Sequence, residues 1–117
     1  MFKSTFASCN FNKEERGYIA MAIDEIEKAS CIKFRPANIQ DKDWIDIVDT
    51  EEGCFADLGF KGVGTGKHVL NLQRPDCATK GTTIHELFHN FGMNHEQTRP
   101  DRDKYMTINW KNMQVCN

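Results

Sequence analysis

The chain has 117 residues, 39% hydrophobic and 27% charged, with 3 Pro and 8 Gly. That is one domain or part of one and too little for two, and it excludes collagen-like and low-complexity disordered chains. Fifteen Lys and Arg against seventeen Asp and Glu give a formal net charge of −2, so no basic excess recruits nucleic acid. A mean hydropathy of −0.60, with no apolar run near the ~18 residues of a membrane span, excludes a bilayer-crossing helix.

In chain order, the first 17 residues, MFKSTFASCNFNKEERG, lack the continuous apolar core of a secretory signal. Asn12 is placed to cap a helix over about 13–29, with Glu14 and Glu15 in its first turn and Ile19, Ala22, Ile23, Ile26 and Ala29 at helical spacing. Cys31 to Phe34 reads as a short strand stopped by Pro36. Trp44 to Val48 alternates in the manner of a strand, and Glu51 to Gly53 is a turn. The stretch 59–66, GFKGVGTG, reads as a loop. It fails as a phosphate-binding loop because His68 follows Gly66-Lys67 where Ser or Thr is required, and Lys61 holds the place of the first Gly. His68 to Leu72 is a further strand, broken at Arg74-Pro75-Asp76. A second helix is expected from about Thr79 to Phe91, ending at Gly92. Helix, strands, helix indicates an α+β layer structure.

Five cysteines, Cys9, Cys31, Cys54, Cys77 and Cys116, lie about twenty or more residues apart. This spacing offers no C-x-x-C pair and suits long-range disulfides made in an oxidising compartment. Their odd number leaves at least one thiol without a partner inside the chain.

Residues 82–110, TTIHELFHNFGMNHEQTRPDRDKYMTINW, carry the chemistry. His85 and His89 are one helical turn apart on one face. Gly92 can adopt positive φ, end the helix and let His95 return to the same point. Three imidazoles leave an open fourth position on a tetrahedral zinc. Glu86, next to the first of them, can reach water bound there and act as general base. H-E-x-x-H alone recurs by chance. With Gly92 and His95 added, five fixed positions have a chance frequency on the order of one in ten million per start, given average residue usage. The remaining histidine, His68, reads as a packed or surface side chain.

This segment resembles the astacin family of metzincin zinc endopeptidases. The likeness continues through Glu96, Arg99, Asp101-Arg102-Asp103 and the Tyr105–Trp110 run, and upstream over most of the chain. It implies a metzincin-type N-terminal subdomain: a twisted, mainly parallel sheet with two long helices, the second carrying the zinc motif. It implies one Zn²⁺ held by His85, His89 and His95, Glu86 as general base, and a Cys54–Cys77 disulfide. Cys31 matches a cysteine that in the family bonds near the domain's C-terminus; here Cys9 and Cys116 both stand as candidate partners. Glu96 matches a residue that contacts the mature N-terminus. His68–Leu72 matches the family's edge strand, which pairs with extended peptide substrate.

The family's Ser-x-Met-x-Tyr turn has no counterpart after His95, so residues 1–117 are expected to be a partial peptidase domain, without the C-terminal subdomain. The implied function is hydrolysis of peptide or protein substrates by zinc-activated water, outside the cell. The alternative is a truncated, non-catalytic zinc-binding fragment. The sequence leaves substrate and oligomeric state open.

Overall fold

The computed structural model describes residues 2–5, by their backbone, and residues 10–113. Strand β1 is Phe2–Thr5 and helix α1 is Lys13–Ala29; β2 is Phe34–Pro36, β3 Asp43–Val48, β4 Cys54–Ala56 and β5 Gly66–Leu72; helix α2 is Lys80–Asn90. The strands form one sheet in the order β2-β1-β3-β5-β4. All neighbours run parallel except β4, which is antiparallel to β5. The expected α+β architecture with a mainly parallel sheet is what the chain adopts.

Helix α1 begins where Asn12 predicts, and its cap is reciprocal. The Asn12 side chain accepts from the Glu15 N–H at 2.9 Å, and Glu15 Oε2 accepts from the Asn12 N–H at 2.7 Å, a capping box. The buried Glu15 carboxylate also accepts from Arg74 Nε at 2.8 Å, tying the start of α1 to the segment between β5 and α2. Ile19, Ala22 and Ile26 point inward. The two isoleucines meet Ile45 and Ile47 of β3, Leu70 and Leu72 of β5 and Leu87 of α2 in one core. Each large side chain among them contributes roughly 1.5–3 kcal/mol on burial.

Three strand assignments need correction. The residues read as a strand at 31–34 mostly close α1 instead. Ser30 Oγ donates to Ile26 O, Lys33 Nζ to Glu27 O and the Phe34 N–H to Glu27 Oε1. Pairing therefore starts only at Phe34. Pro36 is the last residue of β2 and not a stop before it, tolerated because β2 is an edge strand where a missing N–H is harmless. The second correction concerns the edge on the cleft side. His68–Leu72 lies within β5, an interior strand flanked by β3 and β4; the edge is β4. Cys54–Ala56 is held there by three ladder pairs and by a Cys54–Cys77 disulfide. Third, sequence pattern assigns residues 2–5 to no element, yet they form β1 between β2 and β3.

Buried polar groups hold the loops to this frame. Asn71, wholly buried, donates to the carbonyls of Glu51 and Gly53 and accepts from the Glu51 N–H. The Asp43 carboxylate accepts from the Gly64 and Gly66 N–H groups, closing the glycine loop as a turn. These amides, Gly64 first, hold the Asp43 carboxyl below its ordinary range against the opposing effect of burial. Cys31 is exposed and has no disulfide partner among the described residues; Cys9 and Cys116 lie outside them. No described helix is long and apolar enough to cross a membrane.

Reducing the Cys54–Cys77 bond, or replacing both cysteines by Ser, lowers the unfolding free energy by about 3 kcal/mol on the loop-entropy relation, measurable by urea titration. Peptide mapping of the oxidised protein that finds either thiol free contradicts the pairing. A second outcome concerns pH. The Arg74 hydrogen bond, aided by the Asn12 N–H and opposed by burial, holds Glu15 below its ordinary value of 4.5. Its stabilisation is thus complete above the unfolded-state value and is lost as pH falls through the folded one. Acid melting curves of wild type fall more steeply below pH ~4.5 than those of Glu15→Gln; parallel curves contradict the linkage.

Candidate metal centre

Helix α2 starts at the Thr79 cap, whose hydroxyl accepts from the Thr82 N–H at 3.2 Å. Thr83 and Leu87 are fully buried, so the helix face half a turn away looks outward from the core. His85 and His89 stand there, exposed and half-buried respectively. The helix ends at Phe91. Gly92 turns the chain at φ +94°, with its N–H donating to His89 O at 2.8 Å and the Met93 N–H to Phe88 O at 3.0 Å. After this turn the His95 N–H donates to Asn94 Oδ1 at 2.8 Å, and the Thr98 hydroxyl donates to His95 O at 2.6 Å.

The three imidazoles converge. The Nε2 atoms of His85, His89 and His95 lie 3.1 Å apart in every pair. Three nitrogens sharing one ion through bonds of about 2.0–2.1 Å have this spacing. No other group of three or more such side chains able to hold a metal is found among the described residues. The His89 ring is also fixed in tautomer. Its Nδ1 lies 2.7 Å from Met93 O, and a carbonyl can only accept, so Nδ1 carries the proton. Nε2 is then the nitrogen of this ring able to present a lone pair. The donor set and its spacing fit a zinc ion.

Glu86 is buried at the same place. Its Oε2 has no hydrogen-bond partner among the described residues. It lines a cleft of about 390 Å³ together with the three histidines, Asn94, edge strand β4 and Leu58. A carboxylate oxygen hidden from bulk water and left without a partner is costly unless something in the cleft engages it.

The other singled-out residues separate from this cluster. Glu96 is on the surface, in a shallow groove with Arg99, Arg102, Tyr105 and Met106, and Arg99 bonds Asp101 through Nε and Nη2. His68, expected as a packed or surface side chain, is buried against Phe60, ring centroids 5.3 Å apart. Of the apolar residues on α2, Leu87 is buried, while Phe88 is exposed and Phe91 lies between Phe34 and Phe88. Sequence reasoning overlooked Asn90. It is buried in the last turn of α2 and donates through Nδ2 to Asp57 O at 3.0 Å and Val69 O at 3.2 Å. The available signal was an amide of low helix propensity on a face otherwise turned to the core.

The sequence model of Astacin, a peptidase family, matches residues 5–116. Zinc metalloproteinase nas-13 of Caenorhabditis elegans is 42% identical over 108 residues, which are 92% of this chain and 23% of that protein. High choriolytic enzyme 2 of Oryzias latipes is 39% identical over 107 residues, 91% of this chain and 36% of that protein. The solved structure of High choriolytic enzyme 1, a hatching enzyme zinc-protease from the medaka Oryzias latipes, superposes with a TM-score of 0.83 at 33% identity. The match covers 97% of this chain and 54% of that one. This chain therefore spans only a minor part of these curated relatives' length, and about half of the solved chain. A family profile over residues 5–116, an architecture shared with a solved hatching enzyme and the spacing of the three histidines establish that the chain belongs to the astacin family.

Proposed function

We propose that residues 1–117 form the N-terminal, zinc-binding subdomain of a secreted endopeptidase. The observation that carries this reading is the convergence of three Nε2 atoms, 3.1 Å apart, beside the buried and unpartnered Oε2 of Glu86. His85, His89 and His95 hold one zinc. The bound ion supplies Lewis acidity and lowers the pKa of a water towards ~7. Glu86 is the general base: Oε2 takes a proton from the attacking water and delivers it to the leaving amine. Its place in the cleft beside the three Nε2 atoms, with Oε2 unpartnered, supports this role. A peptide lies extended along the free edge of β4, where strand addition can continue the sheet. The Cys54–Cys77 disulfide supports an oxidising, extracellular setting. The second reading, zinc and peptide binding without cleavage, draws on the exposure of Phe88 and Met93 around the end of α2.

The chain takes up one zinc, and replacing any one of the three histidines by Ala weakens binding at least tenfold in a chelator competition; three variants with unchanged affinity refute the ligand set. Glu86→Ala keeps one zinc per chain and lowers peptide turnover by about two orders of magnitude or more. Near wild-type turnover in that variant refutes the base assignment. Zinc bound at one per chain by a wild type that cleaves nothing in a broad peptide library favours the second reading.

A further inference from the structure

We propose that Asn90 is a positioning residue for the metal ligands, acting through a clasp between the end of α2 and the segment that follows β4. This inference rests on the reading of His85, His89 and His95 as zinc ligands. Asn90 directly follows His89 and is 4% exposed. Its amide bridges two carbonyls, Asp57 O and Val69 O, at 3.0 and 3.2 Å. Two residues beyond Asp57, the Gly59 N–H donates to His89 O at 2.9 Å, and the Gly92 N–H donates to the same oxygen at 2.8 Å. The backbones then touch. A Cβ on Gly59 would meet Gly92 Cα at 3.5 Å, and Gly59 itself sits at φ +72°.

Segment 57–59 is itself fixed. The Asp57 N–H donates to Val69 O at 2.9 Å, Asp57 Oδ2 accepts from the Val69 N–H at 2.8 Å, and Oδ1 pairs with Lys61 at 2.6 Å. Burial pushes the Asp57 carboxyl up, but Lys61 and the Val69 N–H outweigh it and keep the group below its ordinary range. The clasp therefore joins a rigid corner of the sheet to the residues on both sides of the turn at Gly92. That turn separates His89 from His95, and its Met93 carbonyl orients the His89 ring. The same corner continues β4, so one set of bonds sets both the ligand spacing and the distance from the zinc site to the peptide-binding edge. A structural bond elsewhere in the core stabilises the fold without this coupling.

The test compares wild type, Asn90→Ala, the shape-preserving Asn90→Asp and Asn12→Ala, which removes the cap at the far end of α1. Each is titrated with zinc against a chromophoric chelator and with Co²⁺, whose visible absorption reports ligand geometry. Groups that hold a metal-binding His in place typically matter about tenfold to a hundredfold in affinity. The expected result is a loss of tenfold or more in zinc affinity and an altered Co²⁺ spectrum for both Asn90 variants. Asn12→Ala should lower the melting temperature while keeping wild-type affinity and spectrum. Asn90 variants that bind zinc and Co²⁺ like wild type, whatever their melting temperature, overturn the proposal. If neither Asn90 variant melts cooperatively, amide hydrogen exchange on the wild type decides: slowing at Gly59 and Gly92 on zinc addition supports the clasp, and unchanged rates overturn it. A wild type that takes up no zinc overturns the ligand reading itself, a result separable from all of these.

Discussion

Leu87 and His89 are two residues apart on one short helix, and they require opposite surroundings. Leu87 is completely buried against the sheet, whereas His89 lines the cleft. At 100° per residue an α-helix can serve both needs only in one rotational setting. The rest of the molecule depends on that setting. The apolar contact of Leu87 with the core of β3 and β5 fixes the rotation of α2, and the rotation fixes where His85, Glu86 and His89 point. The hydrophobic core and the histidine cluster are in this sense one construction, with the first supplying the angular precision of the second.

Rotation alone leaves the helix free to slide and its end free to fray. Polar groups supply what apolar burial, being non-directional, does not. Asn71 holds the β3–β4 connection, Asp43 the glycine loop, and Glu15 with Arg74 the approach to α2. Each is a buried or part-buried acceptor or donor whose partners are backbone groups or a single opposite charge. Such bonds are individually modest in net stability but costly to leave unmade, so they act more on the shape of the native state than on its depth.

The two helices and the convergence of the three histidines were legible because their signals are local. Asn12 with Glu15, the isoleucine spacing of α1 and the run from Thr79 to Gly92 each declare themselves within a few residues, and the histidine spacing is a statement about one helical turn. The strands were less so. β4 is three residues between turns, too short to alternate, and it is a strand only because Cys77 and β5 lie beside it. Segment 31–34 has β-branched and aromatic residues, yet the end of α1 claims its donors first. Asn90 illustrates the same limit at the site. Its partners, Asp57 and Val69, are 33 and 21 residues distant, and no spacing rule within α2 announces them.

The placement of β1 bears on how the sheet is assembled. Four residues ahead of α1 lie between β2 and β3 and pair with both. On a chain emerging from the ribosome, β1 appears ahead of its hydrogen-bonding partners at 34–36 and 45–46. Helix α1 can form in the interval from its own cap and spacing, but the strand has to wait, with both edges open. Sequence-distant pairing of this kind raises contact order and slows folding. The half of the sheet bearing β3, β5 and β4, whose partners are closer in sequence, can therefore close around Leu87 before β2 is recruited. In that order of events the histidine-bearing helix is seated while the far side of the sheet is still unbuilt.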